Sequence, residues 1–331
     1  MQISQRSTSE TGLGATTGYH TVDRFVLNMG NTAGRLTMSQ ESITDLSGFA
    51  KAVKLDCTTA DTSIASNERL IFVQRFEGQD LQQIKKGTSD AERVTVSFYV
   101  KGNANATYTL ELADEDNSRF VAQEFSVTSS WTRVVKTFVA DTTGKFDNDN
   151  AHSMSLNIWL HAGSDFTGGT FTSNTVHTTA NQRVGDNQTS FYDSTDRTFF
   201  ITGVQLEVGS VATPFEHRSF GEELALCQRY FSHSGDGGQA GFMHSMYASN
   251  DAYGNFSFPI PMRANPTVTM KSSGRNLYSA GASITIVSFA AQNINKHNFQ
   301  HRAACTGGTA GRAAHVDVDI NTRFYEADAE L

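Results

Sequence analysis

The sequence predicts an all-β protein built around a two-sheet sandwich, and three observations predict it. First, the composition is polar without being charged. In 331 residues there are 32 Ser, 37 Thr and 27 Gly, while Asp, Glu, Lys and Arg make up 18 %. That balance suits pleated sheets with long turns, and it lacks the Ala, Glu, Lys and Leu of a coiled coil. Second, 23 Phe and 9 Tyr are too many aromatics for a chain that cannot build a core. Third, about ten short runs alternate apolar with polar residues between turn-forming segments, the spacing of a sandwich.

Taken in order, Gly12–Gly18 (GLGATTG) has the glycines of a phosphate-cradling loop but neither a strand before it nor a periodic helix after it, so it reads as a lead-in. Strands are expected at 21–28, 34–39, 50–56 and 70–76. In GQDLQQIKKG (78–87), Leu81 and Ile84 lie three apart, which predicts one or two helical turns. Val94 to Lys101 is the clearest strand: Val94, Val96, Phe98 and Val100 point one way, Thr95, Ser97, Tyr99 and Lys101 the other. Runs at 106–113 and 119–127 flank Asp114-Glu115-Asp116-Asn117, a hairpin loop by its turn residues. After 131–140, Ser153 to His161 sets Met154, Leu156, Ile158 and Leu160 against Ser155, Asn157, Trp159 and His161. Residues 162–196 show little apolar periodicity and read as a long loop packed on one face. A strand at 197–208 completes the first part.

A boundary follows Pro214. Ser219 and Glu222 fit a capping box ahead of Leu224, Leu226 and Cys227, predicting a helix over 220–229. Beyond it come the glycine-rich run SGDGGQAG, three of the 4 prolines, and strands expected at 254–260, 266–271, 283–289 and 314–325. The prolines of FPIPMRANP demote that stretch to an edge strand or bend. The chain therefore divides into a sandwich (1–217), a short helical linker (218–230) and a smaller C-terminal β domain (231–331).

Charge and motif inventory narrow the function classes. Net charge is −8, and residues 218–331 hold 9 basic and 9 acidic side chains, so the 17 and 25 of the first part carry the whole excess. Such a surface repels phosphate backbones, and no nucleic-acid partner is expected. No apolar leader opens the sequence and no window approaches a membrane span, so neither signal peptide nor membrane insertion is expected. Cys57, Cys227 and Cys305 are odd in number and widely spaced, which reads as reduced thiols rather than a disulfide framework or zinc site. There is no GxSxG or HExxH, and the ten His are scattered, so no catalytic residue and no metal ligand is assigned. Asp114, Asp116, Asp147 and Asp149 are turn formers. The DNDN run at 147–150 lacks the Gly and Glu of an EF-hand and leaves room only for an irregular structural calcium; no other cofactor is expected.

The non-core strand faces are more informative. Trp159 with Asn157 and His161, and Tyr99 with Lys101, combine flat aromatic surface with amide and charged groups, the equipment of sugar recognition. These five are the candidate glycan-binding residues. The competing reading is that the 162–196 loop or a neighbouring subunit covers this face and makes Trp159 interior.

Several segments together, YHTVDRF (19–25), FEGQDLQQIKKGT (76–88), VTVSFYVKG (94–102), WTRVVKTF (131–138), NIWLHAGSDF (157–166) and the long block from Asp193 to Phe231 ending in LALCQRYF, resemble tail-fibre or related appendage proteins of tailed bacteriophages, those of marine bacteria above all. The resemblance spans roughly residues 5–231. It implies a jelly-roll β-sandwich similar to carbohydrate-binding modules, in which first and last strands pair and a concave sheet can hold a glycan. It also implies a non-enzymatic virion protein made in a bacterial cytoplasm, a homotrimer that contacts other phage virion proteins and a host-surface glycan or receptor. Two alternatives stay open: a capsid or tail decoration protein without a receptor role, and a polysaccharide depolymerase, which would set two carboxylates about 5–10 Å apart in a cleft.

Overall fold

The computed structural model describes residues 1–234, 242–270, 275–318 and 323–331. The chain is all-β, 47 % strand and 7 % helix. It forms two compact units, residues 1–220 with Leu331, and residues 221–330.

The first unit is a jelly-roll β-sandwich. Its strands are β1 (Ser9–Leu13), β2 (Phe25–Gly30), β3 (Arg35–Ser42), β4 (Lys51–Thr59), β5 (Arg69–Glu77), β6 (Val94–Gly102), β7 (Ala106–Asp114), β8 (Arg119–Val127), β9 (Thr132–Phe138), β10 (His152–Ala162) and β11 (Thr198–Val208). One sheet has the order β1-β3-β4-β11-β6-β9 and the other β2-β5-β10-β7-β8. The ladders pairing these strands are antiparallel. First and last strands do not pair, a correction to the expectation: β1 pairs with β3, and β11 lies between β4 and β6.

Alternation explains the core. Val94, Val96, Phe98 and Val100 of one sheet and Leu110, Leu156, Ile158 and Phe72 of the other are buried between the layers. The Phe25 and Phe72 rings stack with centroids 4.7 Å apart, and the Phe98 edge meets Phe125 at 5.2 Å. The helical turns at 78–87 are a 3-10 helix, Gly78–Ile84, which tucks Leu81 and Ile84 against this core. The strand expected from residue 21 begins only at Phe25. Buried Asp23 accepts hydrogen bonds from the Gln5 main chain and side chain, and Arg24 takes a positive φ of 71°. Polar β1, four of whose five residues are exposed, gave no alternation to read. β11 carries a bulge between Thr202 and Gln205 where Gly203 has φ +62°, and a Cβ there would stand 2.8 Å from the Phe49 ring.

Residues 163–197 are irregular apart from the single turn α1 (Ser164–Thr167) and a 3-10 turn at Ala180–Gln182. They fold back over the outer face of β7, β8 and β10. Asn174 N–H donates to Ala122 O and Gly185 N–H to Thr109 Oγ1. Asn187 N–H reaches Glu124 Oε1, and Phe191 N–H reaches Leu160 O.

The second unit begins with the expected helix, α2 (Phe220–Gln228). Its strands are β12 (Phe231–His233), β13 (Phe242–Ala248), β14 (Asp251–Ser257), β15 (Thr267–Met270), β16 (Arg275–Ser279), β17 (Ala282–Gln292), β18 (Asn298–Thr306), β19 (Ala313–Val318) and β20 (Tyr325–Asp328). Six close into a barrel, β13-β14-β18-β17-β16-β19, and β12-β20-β15 make a small sheet. Leu277, Ile284, Phe299, Val316 and Phe324 fill its core. β14 stops at Ser257, two residues before Pro259, rather than running to 260. Part of the expected 314–325 strand, residue 271 of the 266–271 strand and most of SGDGGQAG lie outside the described residues. No helix among the described residues is long and apolar enough to cross a membrane.

Candidate functional site

The outer face of the five-stranded sheet is a grid set by register. Trp159 stands between Ile71 of β5 and Thr109 of β7, and Asn157 stands between Val73 and Glu111. Ser155 stands opposite Arg75, while Asn28 of β2 pairs with Ile71. Strand pleating therefore sends Asn28, Arg69, Ile71, Val73, Arg75, Ser155, Asn157, Trp159 and Glu111 to one side.

Glu111 is the centre of this grid and is wholly buried. Arg183, arriving from the covering segment, donates Nε to Oε1 at 2.7 Å and an NH2 to Oε2 at 2.8 Å, a bidentate clamp. Trp159 Nε1 and Asn157 Nδ2 both donate to Oε2, at 2.9 and 2.8 Å. The Arg183 guanidinium lies 4.0 Å from the Phe120 centroid and 5.1 Å from that of Trp159. A buried carboxylate is tolerable only with such complete pairing.

Beside this network a recess of about 340 Å³ opens over β2, β5 and β10. Its floor is Ile71, Val73, Ser155 and Asn157. Its rim is polar, made by Asn28, Arg69, Arg75, Glu115 and Arg183, with Phe166 of α1 at one side. Arg69 Nε donates to Asn28 Oδ1 at 2.9 Å. Partial desolvation at the recess wall moves the solvent-exposed Glu115 carboxyl upward from its ordinary value, against the opposing pull of Arg183, a Ser155 hydrogen bond and Arg75.

The structure does not bring the five predicted residues together. Asn157 and Trp159 lie at the recess, but an exposed Trp159 is corrected: it is fully buried, because Phe166 packs over it at 5.0 Å and Arg183 lies against it. Trp159 supports the floor and presents no open ring face. His161 is likewise sealed. Its Nε2 lies 3.0 Å from Glu68 Oε2 and its Nδ1 2.8 Å from Ser190 Oγ. The order Ser190, His161, Glu68 matches a hydrolase triad, yet His161 and Glu68 are both buried, and the three groups tie the covering segment to β10.

Tyr99 and Lys101 stand on the other sheet. Tyr99 joins Phe49 at 5.1 Å, and Phe49 in turn meets Phe215 and His217 at 5.2 Å. The Lys101 ammonium sits 5.2 Å over Trp131 and 5.0 Å over Phe200, paired with Asp45, which also accepts from Trp131 Nε1 at 2.9 Å. Hydrogen bonds from Lys101 and Trp131 hold the Asp45 carboxyl below its usual range. Phe49, Tyr99, Trp131, Phe200 and Phe215 are half-buried and His217 is exposed, and the Lys54 ammonium also lies over Phe200. A further recess of about 300 Å³, on the barrel beside the stacked Tyr278 and His315, has no Arg, Lys, Asp or Glu in its lining.

Among the described residues, no three His, Cys, Asp or Glu side chains converge as a metal site. Of the four acids expected to form turns, Asp114 and Asp149 accept local bonds, from Asn117 N–H and Ala151 N–H, while Asp116 Oδ2 accepts the Asp147 N–H and so links the two loops. Sequence reasoning missed Glu111 and Arg183. An acid amid the apolar run of TYTLELAD was visible, but its partner lies 72 positions away in an aperiodic segment.

No known family model matches the chain, and no curated protein does. Among solved structures, a CBM4 module aligns at 10 % identity and TM-score 0.33, covering 62 % of this chain and 99 % of its own. The family 11 carbohydrate-binding module from Clostridium thermocellum, in complex with a β-1,3-1,4-mixed-linked tetrasaccharide, aligns at 11 % identity and TM-score 0.31, covering 62 % and 99 %. The enzymatically active domain of tailspike protein 4 from bacteriophage CBA120 aligns at 12 % identity and TM-score 0.31, over 56 % of this chain and 19 % of that one. These likenesses assign this chain no ligand.

Proposed function

We propose that the protein is a non-enzymatic, glycan-binding appendage of a tailed-bacteriophage virion, and that the recess on the five-stranded sheet is where glycan binds. The observation that carries the reading is the recess itself: a floor of Ile71, Val73, Ser155 and Asn157, held rigid by the Glu111 network and ringed by amide, guanidinium and carboxyl groups. Preorganised donors and acceptors around a rigid floor are what saccharide hydroxyls need. Asn157 and Trp159 act from below, by fixing Glu111 and Arg183, and Tyr99 with Lys101 belongs to a separate face. The virion placement is supported by the sequence blocks from Tyr19 to Phe231. Copy number in a homotrimer turns weak single-site affinity into stable adhesion. No metal or cofactor takes part in this reading; a structural calcium at 147–150 would raise the melting temperature relative to chelator.

The test is retention of the purified protein on an array of bacterial and algal polysaccharides, with reducing ends assayed in parallel. Expected are retention without new reducing ends, loss of retention in Asn28→Trp, whose indole fills the recess from an edge strand, and retention unchanged in Tyr99→Ala. Release of reducing ends would favour the depolymerase. No retention on any polysaccharide would favour the decoration role.

A further inference from the structure

We propose that His244 and His301 form an acid-sensitive latch in the C-terminal barrel: it holds while the two imidazoles share one proton and releases when both are protonated.

Register builds the latch. His244 lies on β13 and His301 on β18, and β14 runs between those strands. His301 pairs with Gly254 of β14, while His244 reaches the same glycine from the other side. A Cβ on Gly254 would stand 2.8 Å from Met243 O and 2.9 Å from His244 Nε2, so the missing side chain lets one imidazole meet the other across the strand. His244 Nε2 and His301 Nδ1 are hydrogen-bonded, with ring centroids 4.8 Å apart and planes at 81°. Both histidines are buried. Phe256, Phe289 and Phe324 surround His301, with centroids at 5.9, 4.9 and 4.7 Å.

A bond between two imidazole nitrogens needs a proton on one and a lone pair on the other. A neutral pair meets that condition, and so does a singly protonated one. With both rings protonated, two N–H groups face each other, the bond is gone, and like charges stand among phenylalanine rings. The ionisable groups of the packed elements lie elsewhere among the described residues. Arg302, next to His301, points the opposite way and pairs with Asp251 of β14 at 2.8 Å. Tyr253 of β14 meets exposed Tyr247 of β13, and His315 of β19 stacks on Tyr278 of β16. Arg323 pairs with Glu326 beside Phe324. β17 has no ionisable side chain, and burial pushes the Cys305 thiol and the Tyr325 phenol upward, so neither titrates in mild acid. The latch depends on the bond between the rings, which double protonation removes whatever else touches them.

The direction with pH follows. An unfolded chain protonates both histidines near pH 6.5, whereas the closed latch takes at most one extra proton. Below that pH the open state therefore binds more protons, and acid favours opening.

The test is amide hydrogen exchange of the full chain, corrected for the intrinsic rate at each pH and read in β13, β14 and β18. Between pH 6.5 and pH 5 the opening constant should rise about eightfold or more. In the double variant His244→Gln/His301→Asn, whose amides can remake the bond without titrating, it should change by no more than about twofold. Should that variant not fold, nitrogen-15 spectra of the wild-type imidazoles decide. The two rings should gain one proton between them while the barrel is intact, and the second only as barrel signals are lost. Opening in the wild type that ignores pH, an equal rise in the variant, or two fully protonated rings in an intact barrel would overturn the proposal.

Discussion

Each outer face of the sandwich carries a carboxylate that bridges an indole N–H and a cation. On the five-stranded sheet Glu111 takes Trp159 and Arg183; on the six-stranded sheet Asp45 takes Trp131 and Lys101. The chemistry is the same and the surroundings differ. The Glu111 side chain is 0 % exposed and that of Asp45 is 51 % exposed. Removing water makes every bond to Glu111 stronger and every missing bond costly, whereas Asp45 exchanges partners with solvent at little loss. What separates a structural keystone from a surface ornament here is the segment 163–197 lying over one face, together with the Arg183 it delivers.

The largest expected effect breaks that comparison directly. Glu111→Ala strands the Arg183 guanidinium, the Trp159 N–H and the Asn157 amide, and should cost about 3–5 kcal/mol in urea unfolding. Asp45→Ala should cost no more than about 1 kcal/mol, and less as salt is added. Equal losses would mean that burial does not distinguish the two groups. An intermediate effect sharpens the comparison on the exposed face. Gly203→Ala places a methyl against Phe49 at a positive φ, and should cost about 1–3 kcal/mol while splaying the Phe49–Tyr99 contact, seen as changed near-ultraviolet dichroism.

The smallest effect is in pH dependence, where the two faces should show opposite signs. Asp45 has a folded pKa below its unfolded value, so its contribution is present above about pH 4 and is lost as pH falls through the folded value. Asp45→Asn should therefore be less stable than wild type at neutral pH and level with it in acid. Glu115 has a folded pKa above its unfolded value, so ionising it works against the fold, and this cost is relieved as pH falls. Glu115→Gln should be the more stable protein at neutral pH, with the gap closing below the carboxylate range. Shifts of the same sign in both variants, read from unfolding midpoints across pH, would contradict these assignments.

The same contrast explains what the sequence could and could not disclose. Period-two alternation fixed which side chains of β6 and β10 face inward, because Val96, Phe98, Leu156 and Ile158 have no other place to go. It failed for β1, whose polar residues form an exposed edge, and for β18, where Phe299, His301, Ala303 and Cys305 point inward but only one of them is a large apolar residue. For the site, alternation put Asn157 and Trp159 on the outer face but could not say what lies above them. Coverage comes from Phe166, Arg183 and Ser190, residues of an aperiodic segment whose pairing depends on tertiary register. Nor could it show that Tyr99 and Lys101 stand on the opposite sheet, since strand order in a sandwich is not sequence order.

The most direct measurement of the central claim is amide hydrogen exchange with and without a retained oligosaccharide. Slowed exchange should appear in β2, β5 and β10, centred on residues 69–75, with none in β6 or β9. Protection confined to residues 94–102 and 132–138 instead would place the ligand on the aromatic face and contradict the account.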